Sequence, residues 1–264
     1  MKSLNKSIAA LIFAGLIMAL SSVPARAEEG ADLKVFITPY AWLMSVKGDV
    51  GARGYTARVD APFTTLTKHV NFAGMLAVDL VAYDKFGFTG NINAALLGGQ
   101  SSHKGISLDS ESGMILSDAA LFYRLGRTPL GDDDSHYIIW DVYAGARIWD
   151  LRAKLDISHP YGSFKVSQHE TWADPIVGAK AWLRFADDWS LELRGDIGGW
   201  GKNDTGSKLT WGASSILAYS LWDNGNLMFG YRAVGVDYKH GSGSNEFEAD
   251  AILHGPILGL SIRF

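Results

Sequence analysis

The chain has 264 residues, with 24 basic against 28 acidic side chains, a net charge of −4 and no cysteine. The missing thiols exclude disulfides, thiol catalysis and cysteinyl metal sites. An acidic chain without basic clusters argues against nucleic acid as a partner, and no Gly-rich motif follows a strand and opens a helix, so no cofactor is expected.

Residues 1–27 read as a cleavable signal peptide. Lys2 and Lys6 form a charged n-region, Ile8 to Leu20 an apolar core, and Ala25-Arg26-Ala27 a small-x-small site before Glu28. The apolar run is shorter than the ~20 residues of a spanning helix, and no stop-transfer charges follow it. Cleavage removes three basic residues and leaves 21 against 28 acidic, about −7. No Pro/Ser-rich linker divides residues 28–264, which are expected to form one domain.

From Asp32 onward, strand-like runs alternate with two kinds of connection. The runs are Asp32 to Val46, Val70 to Tyr83, Phe86 to Gly99, Gly113 to Leu125, His136 to Ala153, Thr171 to Phe185, Trp189 to Trp200, Leu209 to Trp222, Asn226 to Lys239 and Asp250 to Phe264. Short connections at Asp84-Lys85, Ala186 to Asp188 and Asp223 to Gly225 alternate with longer polar ones. These are Lys47 to His69, Gln100 to Ser112, Lys154 to Glu170, Gly201 to Ser207 and His240 to Glu248. Tight turns on one rim and long loops on the other are the pattern of a membrane barrel. Gly126 to Ser135, with Pro129, is a longer turn than that pattern favours. Each run meets the ~9–11 residues of a tilted transmembrane strand. The fold expected is therefore all-β, an antiparallel up-and-down transmembrane β-barrel of about ten strands. Counting hairpins around Gly51 to Val59 and Ile157 to Val166 gives twelve; eight requires merging runs that have clear turns between them.

Within the first long connection, Ala61 to His69 has near-helical spacing of Phe63, Leu66 and Val70, with Asp60 placed to cap it. A short lid on the first hairpin is expected there.

Side-chain alternation separates a lipid-embedded barrel from a soluble one. Ile138, Trp140, Val142, Ala144, Ala146 and Ile148 share one face, while Asp141, Tyr143, Gly145 and Arg147 share the other. Charge on a lipid face costs ~2–4 kcal/mol at the midplane, which sends the charges inward. The inward set is Asp79, Asp118, Arg124, Asp141, Arg147, Asp174, Lys180, Arg184, Glu192, Arg194, Asp196 and Arg232. Two belts of amphipathic rings would set the vertical position. Trp140, Trp189, Trp222 and Tyr123 lie near the tight turns; Trp149, Trp172, Trp200, Trp211 and Tyr238 lie near the loops.

The last strand places Pro256, Leu258, Leu260, Ile262 and Phe264 on one apolar face, with His254 marking its upper end. Pro39 and Pro256 fall at similar height in the first and last strands, which must pair to close the barrel. Neither donates a backbone hydrogen bond. Either both rings merely face lipid with the missing donors on the far side, or the seam carries a weak point that opens laterally.

The C-terminal strand with Leu260, Ile262 and Phe264 resembles the terminal signal by which bacterial outer-membrane barrels are recognised for insertion. Thr38-Pro39-Tyr40-Ala41-Trp42, a Gly-rich hairpin, Asp60-Ala61-Pro62-Phe63 and then Asn71-Phe72-Ala73 resemble the N-terminal part of an uncharacterised proteobacterial porin-like family. The resemblance implies architecture and a place in the cell outer membrane. Outer-membrane lipids including lipopolysaccharide, and the barrel assembly machinery, are then the expected partners of a monomer. It brings no catalytic residues.

Function is less constrained. The inward charges form either a plug of cross-lumen pairs or a constriction for small hydrophilic solutes. A structural or weakly pore-forming barrel, with passive diffusion of small solutes, is the leading expectation. The alternative is a barrel that handles lipid or a hydrophobic ligand, including a lipid-modifying enzyme. Ser101-Ser102-His103 and His240-Gly241-Ser242-Gly243-Ser244 bring hydroxyls and imidazoles together in loops, but adjacency supplies neither an aligned base nor an orienting carboxylate. No enzyme is expected, and the dispersed histidines suggest no metal site.

Overall fold

In a computed structural model of the chain, residues 33–52, 54–103, 106–131, 135–159, 162–201 and 205–264 are described. The signal peptide expected over residues 1–27, with its cleavage before Glu28, lies outside them. Twelve strands follow in order: β1 (Leu33–Trp42), β2 (Ser45–Ala52), β3 (Tyr55–Ala61), β4 (Val70–Ala82), β5 (Phe86–His103), β6 (Ile106–Pro129), β7 (Tyr137–His159), β8 (Gly162–Arg184), β9 (Trp189–Gly199), β10 (Leu209–Trp222), β11 (Gly225–His240) and β12 (Phe247–Arg263).

Consecutive neighbours from β4 to β12 pair antiparallel, and β1 pairs with both β4 and β12, so the sheet closes on itself. β1 and β2 lie end to end along β12 in one unbroken register, from Ile37↔Ile262 through Trp42↔Ile257 to Ser45↔His254. They are two halves of a single wall strand, interrupted at Leu43 and Met44, where the Met44 amide turns back to the Trp42 carbonyl at 2.9 Å. Among the described residues β3 pairs only with β2, forming a hairpin that is not part of the closed ring. The wall is thus a closed antiparallel barrel of ten strands, as the alternation of turns and loops implies.

At one end the turns are tight. Tyr83 and Asp84 between β4 and β5 both take positive φ, 53° and 47°, so the chain reverses within a few residues. At the other end several expected loops are strand. β5, β6, β7 and β8 run for 18, 24, 23 and 23 residues, and Gln100 to Ser112 and Lys154 to Glu170 belong largely to these hairpins. Their polar residues alternate on a ladder already nucleated below, and each added pair extends it without new loop closure. β6 also continues through a bulge between Arg124 and Gly126 to Pro129, shortening the turn expected at Gly126 to Ser135.

The expected lid is smaller than its sequence span. α1 covers only Phe63–Leu66, followed by a 3-10 turn at Thr67–His69. Its N-cap is Pro62, without a side-chain cap, because Asp60 stays in β3 opposite Lys47. Ser45 Oγ instead accepts from the Phe63 amide at 3.0 Å.

The outer wall is apolar, with Leu121, Ile197, Phe229 and Leu258 exposed. Trp140 and Trp222 are exposed near the tight turns, and Trp189 packs there against Tyr219 and Phe229. At the loop end Trp200 is exposed, but Trp149, Trp172 and Tyr238 are 1%, 6% and 2% exposed and lie inside the barrel. These three do not form a belt. Each shares the parity of its strand's inward residues, such as Arg147 and Asp174, and in strands that extend beyond the membrane parity decides where nearness to a loop does not.

Candidate functional site: lumen and seam

Below the loops, the lumen holds an aromatic plug. Trp149 and Trp172 stack at 5.7 Å between centroids, Trp172 and Tyr238 at 3.8 Å, and Phe247 tilts against both Trp172 and Tyr238. Trp42, Leu116, Val234 and Leu253 belong to the same buried cluster. Trp172 Nε1 donates to Ser207 Oγ at 2.9 Å, and the Ser207 amide and hydroxyl both donate to Asp174 at 2.7 Å. Asp174 therefore fastens the β9–β10 connection over the plug, and it makes no ion pair among the described residues. Above, His240 Nδ1 lies 3.1 Å from Glu170 Oε2.

The next layer is ionic. Arg147, fully buried, sets Nε 2.8 Å from Asp118 Oδ1 and Nη2 2.9 Å from Asp196 Oδ1, and donates from Nη1 to Thr210 Oγ1 at 3.2 Å. The Asp196 contact pairs the charges without hydrogen-bond alignment. Arg232 Nη2 reaches Asp118 Oδ2 at 2.9 Å, and Nη1 donates to Tyr40 Oη and Asn91 Oδ1. Tyr40 Oη donates to Asn93 Oδ1 at 2.7 Å. Arg194 lies over the Tyr143 ring and donates from Nε to its hydroxyl at 2.8 Å, and that hydroxyl donates to Asp196 Oδ2 at 3.0 Å. The layer fits because its glycines leave room. A Cβ at Gly212 would stand 2.9 Å from Arg147 Nη2, and one at Gly178 would stand 2.5 Å from the Tyr143 ring.

Nearer the tight turns, Asp141 takes Arg124 Nε at 2.9 Å and Lys180 at 3.9 Å, and Lys180 also approaches Asp79 at 3.8 Å. Glu192 faces the same space without an ion pair among the described residues. Arg184 stands apart from this cluster: it is exposed at the last position of β8 and donates to the Asp187 carbonyl in the following turn at 2.7 Å. Strand parity alone placed it inward, but the lumen ends one residue pair earlier. Tyr40, Asn91, Asn93 and Thr210 also belong to the site, and inward strand parity is the signal that marks them; Ser207 lies in the β9–β10 connection, where no parity marks it. Between the layers a cavity of about 100 Å³ remains, touched by all ten wall strands.

The seam is incomplete. Val35 and Phe264 exchange both backbone hydrogen bonds, at 3.3 and 2.9 Å, and the Leu43 amide donates to the Pro256 carbonyl at 2.9 Å. Alternate residues of a paired strand point their polar groups the same way. Pro39, midway between Val35 and Leu43, therefore faces β12, and Pro256 faces β1. Both missing donors fall on the seam. Thr38 and Pro39 have no ladder partner between Ile37↔Ile262 and Tyr40↔Gly259.

No family model and no curated protein matches the chain. Among solved structures, the outer membrane protease OmpT of Escherichia coli superposes with a TM-score of 0.53 at 9% identity, covering 88% of this chain and 97% of that one. The fold is that of a bacterial outer-membrane β-barrel. Neisserial surface protein A matches with a TM-score of 0.33 at 13% identity, covering 89% of this chain and 99% of the other. The attachment invasion locus protein Ail of Yersinia pestis gives 0.35 at 12%, covering 88% and 98%.

In an outer-membrane barrel the tight turns face the periplasm and the long hairpins face outward. On the outer wall of this barrel, just beyond Ile148, a polar collar begins. Asp150 accepts from Arg152 Nε and Thr171 Oγ1 at 2.8 Å, with His169 Nε2 also at 2.8 Å. Partial burial pushes the Asp150 carboxyl up, but hydrogen bonds from His169, Arg152 and Thr171 prevail and hold it at about 2. The collar is not a relay for nucleophilic catalysis, because His169 Nε2 meets both Asp150 and Thr171. A working base needs the carboxylate and the nucleophile on opposite ring nitrogens.

Proposed function

We propose that the protein is an outer-membrane barrel closed along its axis, with a structural role at the cell surface. One observation carries this reading: the Trp149–Trp172–Tyr238 stack occupies the lumen on the outer side of a layer whose charges are tied to one another. Ion passage through it would require separating stacked rings and breaking buried pairs, each broken pair costing ~3–5 kcal/mol. The polar collar at Asp150 and Arg152 suits the headgroup level of lipopolysaccharide, and the apolar face ending in Phe264 suits recognition by the barrel assembly machinery. The reading assigns the chain no catalytic role and no cofactor, and treats it as a monomer.

Planar-bilayer recording of the refolded mature protein tests it. The parent is expected to be silent in several salts, and the double variant Trp172→Ala/Tyr238→Ala to show discrete conducting steps. Stable, ion-selective steps from the parent would overturn the reading in favour of a narrow pore for small hydrophilic solutes.

A further inference from the structure

Among the charges lining the lumen cavity, two lack an ion-pair partner within the described residues. Both stand on β9, two residues apart and on the same inward face. Arg194 donates from Nε to the Tyr143 hydroxyl and from Nη1 to Thr89 Oγ1 at 3.4 Å, while its buried Nη2 has no hydrogen-bond partner. No carboxylate among the described residues lies within ion-pair distance of it. Glu192 faces the same cavity, likewise with no described cation within that distance. A guanidinium stays charged, and a charge held away from water without a counter-charge is costly. The roots of the two side chains are ~6.6 Å apart, two residues of strand rise, yet the charged ends do not pair with each other.

We propose that this cavity binds a small zwitterion of the α-amino acid class, glycine above all, with the ligand's carboxylate on Arg194 Nη2 and its ammonium group on Glu192. This goes beyond axial closure and does not depend on it, because the ligand enters from the periplasmic end and does not cross the aromatic plug. Charge selects the chemistry. Four carboxylates and four cations line the cavity, so a guest of net charge would unbalance it. A guest carrying both signs a few ångströms apart leaves the balance intact and gives each unpaired group a partner. Volume sets the size: a cavity of ~150 Å³ takes benzene, and about 100 Å³ limits the guest here to the smallest amino acids. Access is short. Glu192 and Asp79 stand three residues inside the tight-turn ends of β9 and β4, a depth of about 7 Å at ~3.3 Å per residue and ~45° tilt. The Asp79 side chain is 30% exposed where those of Asp118, Asp141 and Asp196 are 3% or less, so water reaches the cavity from that end.

The mature chain refolded in detergent micelles, where both ends of the barrel meet water, provides the test, with glycine, acetate and leucine as probes in saturation-transfer NMR titrations. The parent should bind glycine saturably. It should bind acetate, which lacks the ammonium group, and leucine, which exceeds the volume, at least about tenfold more weakly. Glu192→Gln removes the anion and keeps the shape of the side chain. It should lower glycine affinity at least about tenfold and raise that of acetate, because the repelling carboxylate is gone. Ser214→Leu fills the cavity while leaving both charged groups in place, and should abolish binding of either probe. No saturable glycine binding to the parent, equal affinity for leucine or acetate, or unchanged glycine affinity in Glu192→Gln would each overturn the site. The ranking of the three probes by the parent decides the matter even where a variant fails to fold.

Discussion

Replacing Arg147 by Met removes the guanidinium that joins Asp118 to Asp196 while keeping an unbranched side chain of similar length. Asp118 would retain Arg232 at 2.9 Å, but Asp196 would be left with the Tyr143 hydroxyl at 3.0 Å and, among the described residues, no cation within ion-pair distance. Removing one member of a buried pair costs ~3–5 kcal/mol, because the partner stays buried and uncompensated. With one carboxylate stranded and the other still paired, the expected loss is about 4 kcal/mol. Arg58→Ala is the control. Arg58 is 85% exposed on the outer hairpin, 3.5 Å from Asp49, and its loss should stay within about 0.5 kcal/mol. Urea unfolding in lipid vesicles, followed by tryptophan fluorescence, measures both, provided the denaturant slope is unchanged. Neutralising the stranded acid in Arg147→Met/Asp196→Asn should recover about 1–3 kcal/mol. If Arg147→Met matched Arg58→Ala, the layer would be hydrated lining and the argument for a tied network would fail.

Mass spectrometry of outer-membrane fractions should find a mature chain beginning at Glu28, since Ala25 and Ala27 supply the small residues a signal peptidase needs; an intact leader there would refute the cleavage site. Deleting Phe264 should lower the amount of heat-modifiable, folded protein in that fraction at low expression, and unchanged levels would argue against a role in insertion. Asp150 ionises at about 2 in the folded chain against an ordinary value of ~3.9, so it favours folding above about pH 4 and that contribution is lost as pH falls toward 2. The stability difference between the parent and Asp150→Asn should therefore shrink over that interval in urea titrations; a difference constant with pH would contradict the assignment.

Strand number and facing are legible because period-two alternation holds through the middle of the wall strands, with the register shifts of β4, β6 and β10 confined to strand ends. Leu258 outward and Ile257 inward follow from β12 alone, and the ten-strand wall follows from the turns. The interior was harder to read. Asp118, Arg147 and Asp196 announce themselves as charges, but which of them meet depends on the stagger of strands distant in sequence, and no single strand records it. Nearness to loops suggests a rim position for Trp149, Trp172 and Tyr238, because aromatic rings suit headgroups. Their parity pointed inward, and the outward extension of β7 and β8 moved the rim away from them. The break at Leu43 and Met44 has no strong local signal either. It becomes visible only once Pro256 lies opposite.

The wall is also of uneven height. β9 has 11 residues and its neighbour β8 has 23. Tilted ~45° at ~3.3 Å per residue, β9 rises about 26 Å, close to the ~25 Å apolar band of such barrels, so this side has no slack and fixes how deep the molecule floats. The additional length of β8 lifts its far end roughly 28 Å higher by the same geometry. Ile176 is the last β8 residue paired with β9, so above Pro175 that edge stands without a β9 neighbour. Seen from outside the cell, the molecule is a one-sided parapet: a tall sheet of β6, β7 and β8 beside a low sill at β9 and β10. Anything large approaching this end of the molecule would touch the parapet well before it reached the sill.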